Sequence, residues 1–291
     1  MRRQDGARRI GRAVPADALV GATLDKRLLL ITGCQRSGTT LLHLVLDSHP
    51  DVHSIDEADY WKRARPIDDY LADPALPAFV AFKLPQEARR VEELAAKYTS
   101  IRILWCLRDP RDVVASMVSL TLRHEESKLV WACHPNGAIH ELAQAIPALP
   151  EDARAKLAPH LERYAALSTT PYEARNRTDA IFTGALCWGV KNEFLKVYRK
   201  RQLPLIEVRY EPLVTSPRDT IEQLLASIGL PWSEDVLRHH QLHSGMLIGR
   251  TDASRAIDQT KVGRWAQDFS EGELAAIRGV CGELAGELGY Q

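Results

Sequence analysis

Residues 28–40 restrict the fold of this chain more than any other stretch, because an apolar run there is followed at once by glycines and hydroxyl side chains. The run predicts a buried strand, and the residues after it predict a tight turn into a helix. Gly33 and Gly38 have the spacing of a P-loop, G-x-x-x-x-G-K-[ST]. Thr39 stands where that motif has lysine. The loop therefore keeps the phosphate-binding backbone but lacks the ammonium that contacts the β- and γ-phosphates of ATP.

The side chains of this loop suit an anionic ligand. Arg36 has a permanent charge and a planar fork that matches phosphate or sulfonate oxygens. Amides at a helix start attract anions, and glycine lets a ligand approach the backbone closely. An ordinary strand-to-helix turn is the alternative, but the run of glycine and polar residues directly after an apolar strand disfavours it. The candidate ligands in the loop are Arg36, Ser37, Gly38, Thr39 and Thr40.

A second apolar strand, 102–107, leads directly into the sequence Arg-Asp-Pro-Arg-Asp-Val-Val-Ala-Ser. Pro110 suits the first turn of a helix, with Asp109 as its cap. Arg108 falls at the carboxyl end of the strand, and Ser116 follows about two helical turns later. Taken alone, the segment could be a surface Arg–Asp cluster that caps a helix.

Together the two segments resemble the signature motifs of sulfotransferases that use 3′-phosphoadenosine 5′-phosphosulfate (PAPS). In that family a loop like 34–41 binds the 5′-phosphosulfate, with Lys or Arg at the position of Arg36. Gln35 replaces the usual proline here. An Arg followed eight residues later by a Ser binds the 3′-phosphate in the family, and Arg108 and Ser116 match that pattern.

The resemblance also implies catalytic residues. The continuation 46–52 is similar to the bacterial and tyrosylprotein branch, in which a glutamate at the position of Glu57 acts as general base. Lys83, at the end of an expected strand 79–83, matches a Lys-x-Pro motif whose ammonium contacts the bridging oxygen of the leaving phosphate. The cytosolic aryl branch has a histidine just after this lysine, and its absence here favours Glu57. Without the resemblance, Glu57 belongs to a charged loop and Lys83 is a solvated lysine.

The late loop, residues 246–265, resembles the segment with which the family closes over the adenosine and its 3′-phosphate. On that basis Ser254 and Lys261 are expected to bind the nucleotide. Tyr210, at the end of an expected strand 204–210, matches a family tyrosine that approaches the adenosine. A polar loop anchored to the core by a tryptophan is the alternative for the late loop.

The order of the elements predicts an α/β fold with a P-loop-type parallel sheet flanked by helices. Ligands of such sheets lie at the carboxyl ends of the strands. Prolines break the alternation in 124–180, where we expect a helical insert over the active site that selects the acceptor. The expected organisation is a basic arm, 1–25, and a single domain, 26–291. The expected strands are 28–33, 79–83, 102–107 and 204–210, and the expected helices are 38–47, 111–123, 180–201 and 217–228.

Composition favours a soluble enzyme in the cytoplasm. The chain has 38 Lys and Arg against 38 Asp and Glu, so no overall field attracts nucleic acid or a membrane. The five cysteines are scattered without a Cys-x-x-Cys pair, which indicates reduced thiols rather than zinc or disulfides. No apolar run approaches the roughly 20 residues of a membrane span, and the Arg-rich first residues lack the apolar core of a secretory signal.

The resemblance implies in-line transfer of a sulfonyl group from PAPS to an acceptor hydroxyl, or as second choice an amine, with no metal. Glu57 would take the acceptor proton, while Arg36 and Lys83 stabilise charge on the donor. The sequence does not identify the acceptor, which could be a small molecule, a glycan or a peptide. It also does not determine whether the protein forms a homodimer. The alternatives are a P-loop kinase for a small metabolite, disfavoured by the missing lysine, and a non-catalytic nucleotide-binding protein.

Overall fold

The structure is a computed structural model, and it describes residues 26–123, 138–171, 174–244, 247–248 and 251–290. The basic arm expected at 1–25 lies outside the described residues. So do 124–137 and 172–173 of the expected insert and positions 246, 249 and 250 of the late loop.

Five parallel strands form the central sheet in the order β2-β3-β1-β4-β5. The middle strand β1 pairs with β3 and β4, so that Ile31 lies opposite both Lys83 and Leu104. Since all five strands run in one direction, the ends of β1, β3 and β4 meet at one edge of the sheet. The strands are β1 Arg27–Gly33, β2 Val52–Ile55, β3 Phe79–Lys83, β4 Arg102–Leu107 and β5 Leu205–Arg209.

Helices cover both faces of the sheet. The helices are α1 Thr39–Asp47, α2 Glu57–Arg63, α3 Ile67–Leu71, α4 Val91–Lys97, α5 Pro110–Arg123, α6 Ala138–Ala148, α7 Glu151–Thr169, α8 Arg177–Lys200, α9 Tyr210–Thr215, α10 Pro217–Ile228, α11 His239–Leu242, α12 Trp265–Asp268 and α13 Glu271–Glu287. Short 3₁₀ helices span Pro85–Arg90 and Glu234–Arg238, and β6 Leu247–Ile248 pairs with β7 Thr251–Asp252 in an antiparallel ribbon.

Alternation along β1 divides the core into two layers. Leu28 and Leu30 pack with residues of α5, α8 and α13, whereas Leu29 and Ile31 pack with residues of α1 and α10. A strand buried on both faces is therefore apolar at every position, as the sequence of β1 is. This burial fixes the end of β1, and with it the start of the glycine-containing loop.

The predicted fold class is confirmed. β3 and β4 have the expected bounds, β1 begins one residue earlier than expected, and β5 is one residue shorter than expected at each end. The alternative of a charged loop around Glu57 does not hold, because α2 begins at Glu57. Asp56 caps this helix, and its Oδ1 accepts a hydrogen bond from the Ala58 backbone at 2.8 Å. The described part of the segment 124–180 contains α6 and α7, and Pro159 lies inside α7 rather than ending it.

Gly33 is expected to tolerate no side chain. Its φ is 120°, and a Cβ there would lie 2.5 Å from the carbonyl oxygen of Cys106 in β4. Gly33→Ala should therefore lower the free energy of unfolding by about 2–4 kcal/mol, measured by urea denaturation. The control is Gly279→Ala in α13, where no atom lies within 4 Å of the added carbon. This control should be neutral or stabilising, and an unchanged midpoint for Gly33→Ala would contradict the close approach of β1 and β4.

Candidate active site

The anion loop, residues 34–38, connects β1 to α1 in an unusual backbone conformation. Gly38 precedes α1 with a φ of 95°, and Arg36 has a φ of 69°. A non-glycine residue in this left-handed region costs about 1–3 kcal/mol, and such residues cluster at functional sites. Gly38 has no side chain to cap the first amides of α1, and a Cβ there would lie 2.8 Å from Tyr210. The loop thus offers helix-terminal amides to an anion.

Arg108 is buried beside the anion loop. Its Nη1 donates to the Arg36 carbonyl at 3.1 Å, and its Nη2 donates to the Lys261 carbonyl at 2.5 Å. The guanidinium carbon lies 4.1 Å from the ring centre of Tyr210. Arg36 in turn donates from Nε to Ser116 Oγ at 3.0 Å. The structure therefore brings the residues of the second motif, Tyr210 and the late loop together next to the anion loop.

Asp112 holds the late loop against α5. Its carboxylate accepts hydrogen bonds from the backbone N–H of Gly263 at 2.9 Å and of Trp265 at 3.1 Å. It also lies 3.8 Å from Arg108 Nη2. Burial raises the pKa of Asp112, and the charge of Arg108 partly opposes the rise. Asp112 belongs to the second motif without an expected role, although its position one helical turn after Arg108 was a signal.

A second group of charges surrounds Lys83 at the end of β3. Its Nζ lies 2.5 Å from Glu57 Oε2 and 2.5 Å from Asp56 Oδ2. It also donates to Thr40 Oγ1 at 3.3 Å. Lys83 is only 1% exposed, so water screens these interactions weakly. Burial raises the pKa of Glu57, the charge of Lys83 partly lowers it, and Asp56 raises it further.

Among the nearby carboxylates, the geometry favours Glu57 as the group that meets a substrate. Glu57 lines the cleft described below, whereas Asp56 does not and uses one oxygen as a helix cap. Asp59 is exposed on α2, 3.7 Å from Arg63. A partly buried carboxylate with a raised pKa beside a cation is typical of general acid–base sites.

One cleft of about 380 Å³ joins the two groups of charges. Two of the predicted ligands are not on its wall. The Ser37 side chain is buried away from it, and the exposed Ser254 hydroxyl donates to Asp252 instead. The predicted site residues that do line the cleft are Arg36, Gly38, Thr39, Thr40, Glu57, Lys83, Arg108, Ser116, Tyr210 and Lys261.

The late loop contributes charged residues to the cleft that the sequence analysis did not select. Arg255 and Arg264 both line it, and each forms an ion pair, with Asp258 at 2.6 Å and Asp268 at 3.1 Å respectively. The signal for Arg264 was its place in the run Val-Gly-Arg-Trp. For Arg255 the only signal was its position next to Ser254.

The family model of the sulfotransferase domain matches residues 26–289, nearly the whole chain. This chain belongs to the sulfotransferase family. The resemblance of its motifs to that family is confirmed, and so is sulfonyl transfer as the reaction class. Protein-tyrosine sulfotransferase 2 of Gallus gallus is 24% identical to this sulfotransferase over 90% of the present chain and 69% of the relative.

Two solved structures share the fold of this sulfotransferase. The sulfotransferase domain from the curacin biosynthetic pathway has a TM-score of 0.55 at 14% identity, and the match covers 91% of this chain and 98% of that one. Mouse sulfotransferase SULT7A1 complexed with PAP has a TM-score of 0.52 at 14% identity, with 91% and 85% covered. Within the described ranges, no helix is long and apolar enough to span a bilayer.

Proposed function

We propose that this sulfotransferase takes its sulfonyl group from PAPS and transfers it to an acceptor hydroxyl, with Glu57 as general base. One observation carries the proposal. The cleft places the Glu57–Lys83 ion pair and the Arg108 group next to the same anion loop. A donor with phosphates at both its 5′ and 3′ positions suits a cleft that offers the Lys83 ammonium at one place and the Arg108 guanidinium at another, whereas ATP carries its phosphates on one side of the ribose only.

The residues present fit PAPS. Among the described residues Arg108 Nε has no hydrogen-bond partner although it is buried, so this donor is left for an anion. The anion loop, with Arg36, Thr39 and Thr40, would hold the 5′-phosphosulfate, which supplies the activated sulfonyl group. Arg108 and Ser116 would hold the 3′-phosphate. A structure of similar fold contains PAP, which supports a donor of this class by analogy alone.

In the proposed reaction the Glu57 carboxylate takes the proton from the acceptor hydroxyl as the new O–S bond forms. The Lys83 ammonium stabilises negative charge on the phosphate oxygen that leaves as the old S–O bond breaks. Asp56 stays beside Lys83 and holds the ammonium in place when Glu57 becomes neutral. The side chains thereby supply both the base and the charge stabilisation.

The name of the Gallus gallus relative favours a phenolic hydroxyl as the acceptor, since that protein is named for protein tyrosine. A peptide tyrosine is therefore the first acceptor class to test, ahead of glycans, other small molecules and amines. The cytoplasmic location and the homodimer stay predictions.

The pH dependence of kcat should reflect the environment of Glu57. An ordinary glutamate has a pKa of about 4.3. Because burial raises the pKa of Glu57, its carboxyl group loses the proton only at a higher pH. A base must be deprotonated, so kcat should rise with pH through this raised pKa and then level off. The test is a pH–rate profile at saturating PAPS and acceptor, with protein stability checked at each pH. A limb at or below the ordinary glutamate pKa would contradict the assignment.

Donor binding separates this proposal from the P-loop kinase alternative. Because Thr39 replaces the P-loop lysine, the protein should bind PAP much more tightly than ATP, and without Mg²⁺. Calorimetric titrations with PAP, AMP and ATP, each with and without Mg²⁺, measure this directly. Tighter binding of ATP that depends on Mg²⁺ would favour the kinase. Tight PAP binding without any turnover of PAPS would favour the non-catalytic alternative.

A further inference from the structure

A group of three side chains connects α6 with the anion loop: the buried Gln35 of the loop, the partly buried Glu141 of α6 and the buried Lys191 of α8. The Gln35 side-chain amide donates to Glu141 Oε2. The other oxygen of this carboxylate, Oε1, lies 2.5 Å from Lys191 Nζ. A single carboxylate of α6 therefore contacts both the loop and a buried cation.

Lys191 extends this group to the backbone on both sides of the site. Its Nζ donates to the carbonyl of Pro85 at 2.8 Å and to that of Gly33 at 3.5 Å. Gly33 is the last residue before the anion loop, and Pro85 follows Lys83 by two residues. Burial lowers the pKa of Lys191, but Glu141, Cys187 and Cys34 together raise it above its ordinary value, so the ammonium stays charged. Lys191 thus connects the start of the loop with the segment that carries Lys83.

Stability alone does not account for this ion pair. Lys191 is only 2% exposed, and removing two charges from water costs as much as their attraction returns in many proteins. Apolar side chains of similar volume would hold α6 against α8 equally well. Glu141 and Lys191 also lie off the wall of the cleft, so neither contacts a substrate there.

We propose that Glu141 and Lys191 are positioning residues for sulfonyl transfer. Through Gln35, Gly33 and Pro85 they fix the distance between the anion loop and the Lys83 ammonium. The proposal rests on the proposed function, from which it takes the role of Lys83. A shift of about 1 Å between a donor and its catalytic group can lower a rate about 10²-fold, which makes this spacing important for turnover.

Replacing Glu141 and Lys191 by neutral side chains tests whether the ion pair positions the anion loop or only stabilises the fold. Glu141→Gln and Lys191→Met each leave one charge buried without its partner, so each single variant should have a lowered Tm. The double variant contains neither charge, and its Tm should return close to that of the wild type. Its kcat at saturating PAPS should nevertheless stay at least about tenfold below the wild-type value. PAP titration gives the fraction of competent sites, to which kcat is normalised.

An exposed ion pair provides the matched control. Arg218 and Glu234 lie 2.8 Å apart, away from the cleft wall. Arg218→Met combined with Glu234→Gln should leave both Tm and kcat unchanged. If the Glu141→Gln/Lys191→Met variant recovered kcat together with Tm, the pair would be structural only and the proposal would be overturned. If the wild type neither bound PAP nor transferred a sulfonyl group, the proposed function itself would fail, and this inference with it.

If the double variant does not fold, a milder variant tests the positioning role of Glu141. Glu141→Asp keeps the negative charge beside Lys191 but withdraws the carboxylate by one methylene. Its Tm should stay near the wild-type value while kcat falls severalfold, because the charge balance is kept and the spacing is not. A wild-type kcat in Glu141→Asp would overturn the proposal.

Discussion

Glu57→Gln is expected to lower kcat about 10²-fold or more, while the affinity for PAP changes little. Glutamine keeps the shape of the side chain but cannot take the acceptor proton. The fold should survive, because Asp56 remains 2.5 Å from the buried Lys83 ammonium and still balances its charge. Steady-state kinetics with PAPS and a tyrosine-containing peptide measure the effect, with PAP calorimetry as the check on binding.

Asp59→Asn is the matched control for Glu57→Gln, since it removes an exposed carboxylate from the same helix. Its kcat should equal that of the wild type. If Glu57→Gln kept full activity and its pH–rate profile were unchanged, another group would be the base. Asp56, Asp59 and His53 would then be the next residues to replace.

Arg108→Ala should weaken PAP binding by about 2 kcal/mol or more, which is roughly 30-fold in Kd. The guanidinium is 6% exposed, so a phosphate bound to it would interact in a poorly screened environment. AMP lacks the 3′-phosphate and should lose little affinity in the same variant. Comparing the two ligands by calorimetry therefore isolates the contact with the 3′-phosphate from general damage to the fold.

The control for Arg108→Ala is Arg102→Ala, which removes an exposed arginine from the opposite end of β4. PAP affinity should be unchanged in this control. If Arg108→Ala weakened PAP and AMP equally, Arg108 would support the loop rather than bind the 3′-phosphate. Its hydrogen bond to the Arg36 carbonyl would be the reason for that outcome.

The sequence predicted four of the five strands of the sheet, all but β2, and most residues of the candidate cleft, because these depend on short, contiguous patterns. An apolar strand that ends in glycines identified β1 and the anion loop. The run from Arg108 to Ser116 identified the Arg108 group beside that loop. Parallel strands bring their carboxyl ends to one edge, so these separate segments meet without further information. The sequence also contained a signal for the start of α2, since aspartate, here Asp56, is a common helix-capping residue. Without the family resemblance, however, the acidic residues 56–59 were interpreted as a loop.

The features that the sequence did not predict depend on contacts between residues far apart in the chain. Glu141 meets Gln35 across more than a hundred positions, and no local pattern indicates such a pair. The outward position of Ser254 follows from its hydrogen bonds to Asp252, two residues earlier, which compete with a role in the cleft. A resemblance between motifs transfers the type of residue at a position but not the direction of its side chain.

The most direct test of the central claim is transfer of label from PAPS that carries radioactivity in its sulfonyl group. The protein, with metals removed by chelation, is incubated with this donor and a tyrosine-containing peptide or a host-cell metabolite extract. We expect the wild type to form a labelled sulfate ester, and Glu57→Gln to form it about 10²-fold more slowly or not at all. Absence of labelled product with the wild type, together with Mg²⁺-dependent transfer of phosphate from ATP to the same acceptors, would contradict the account.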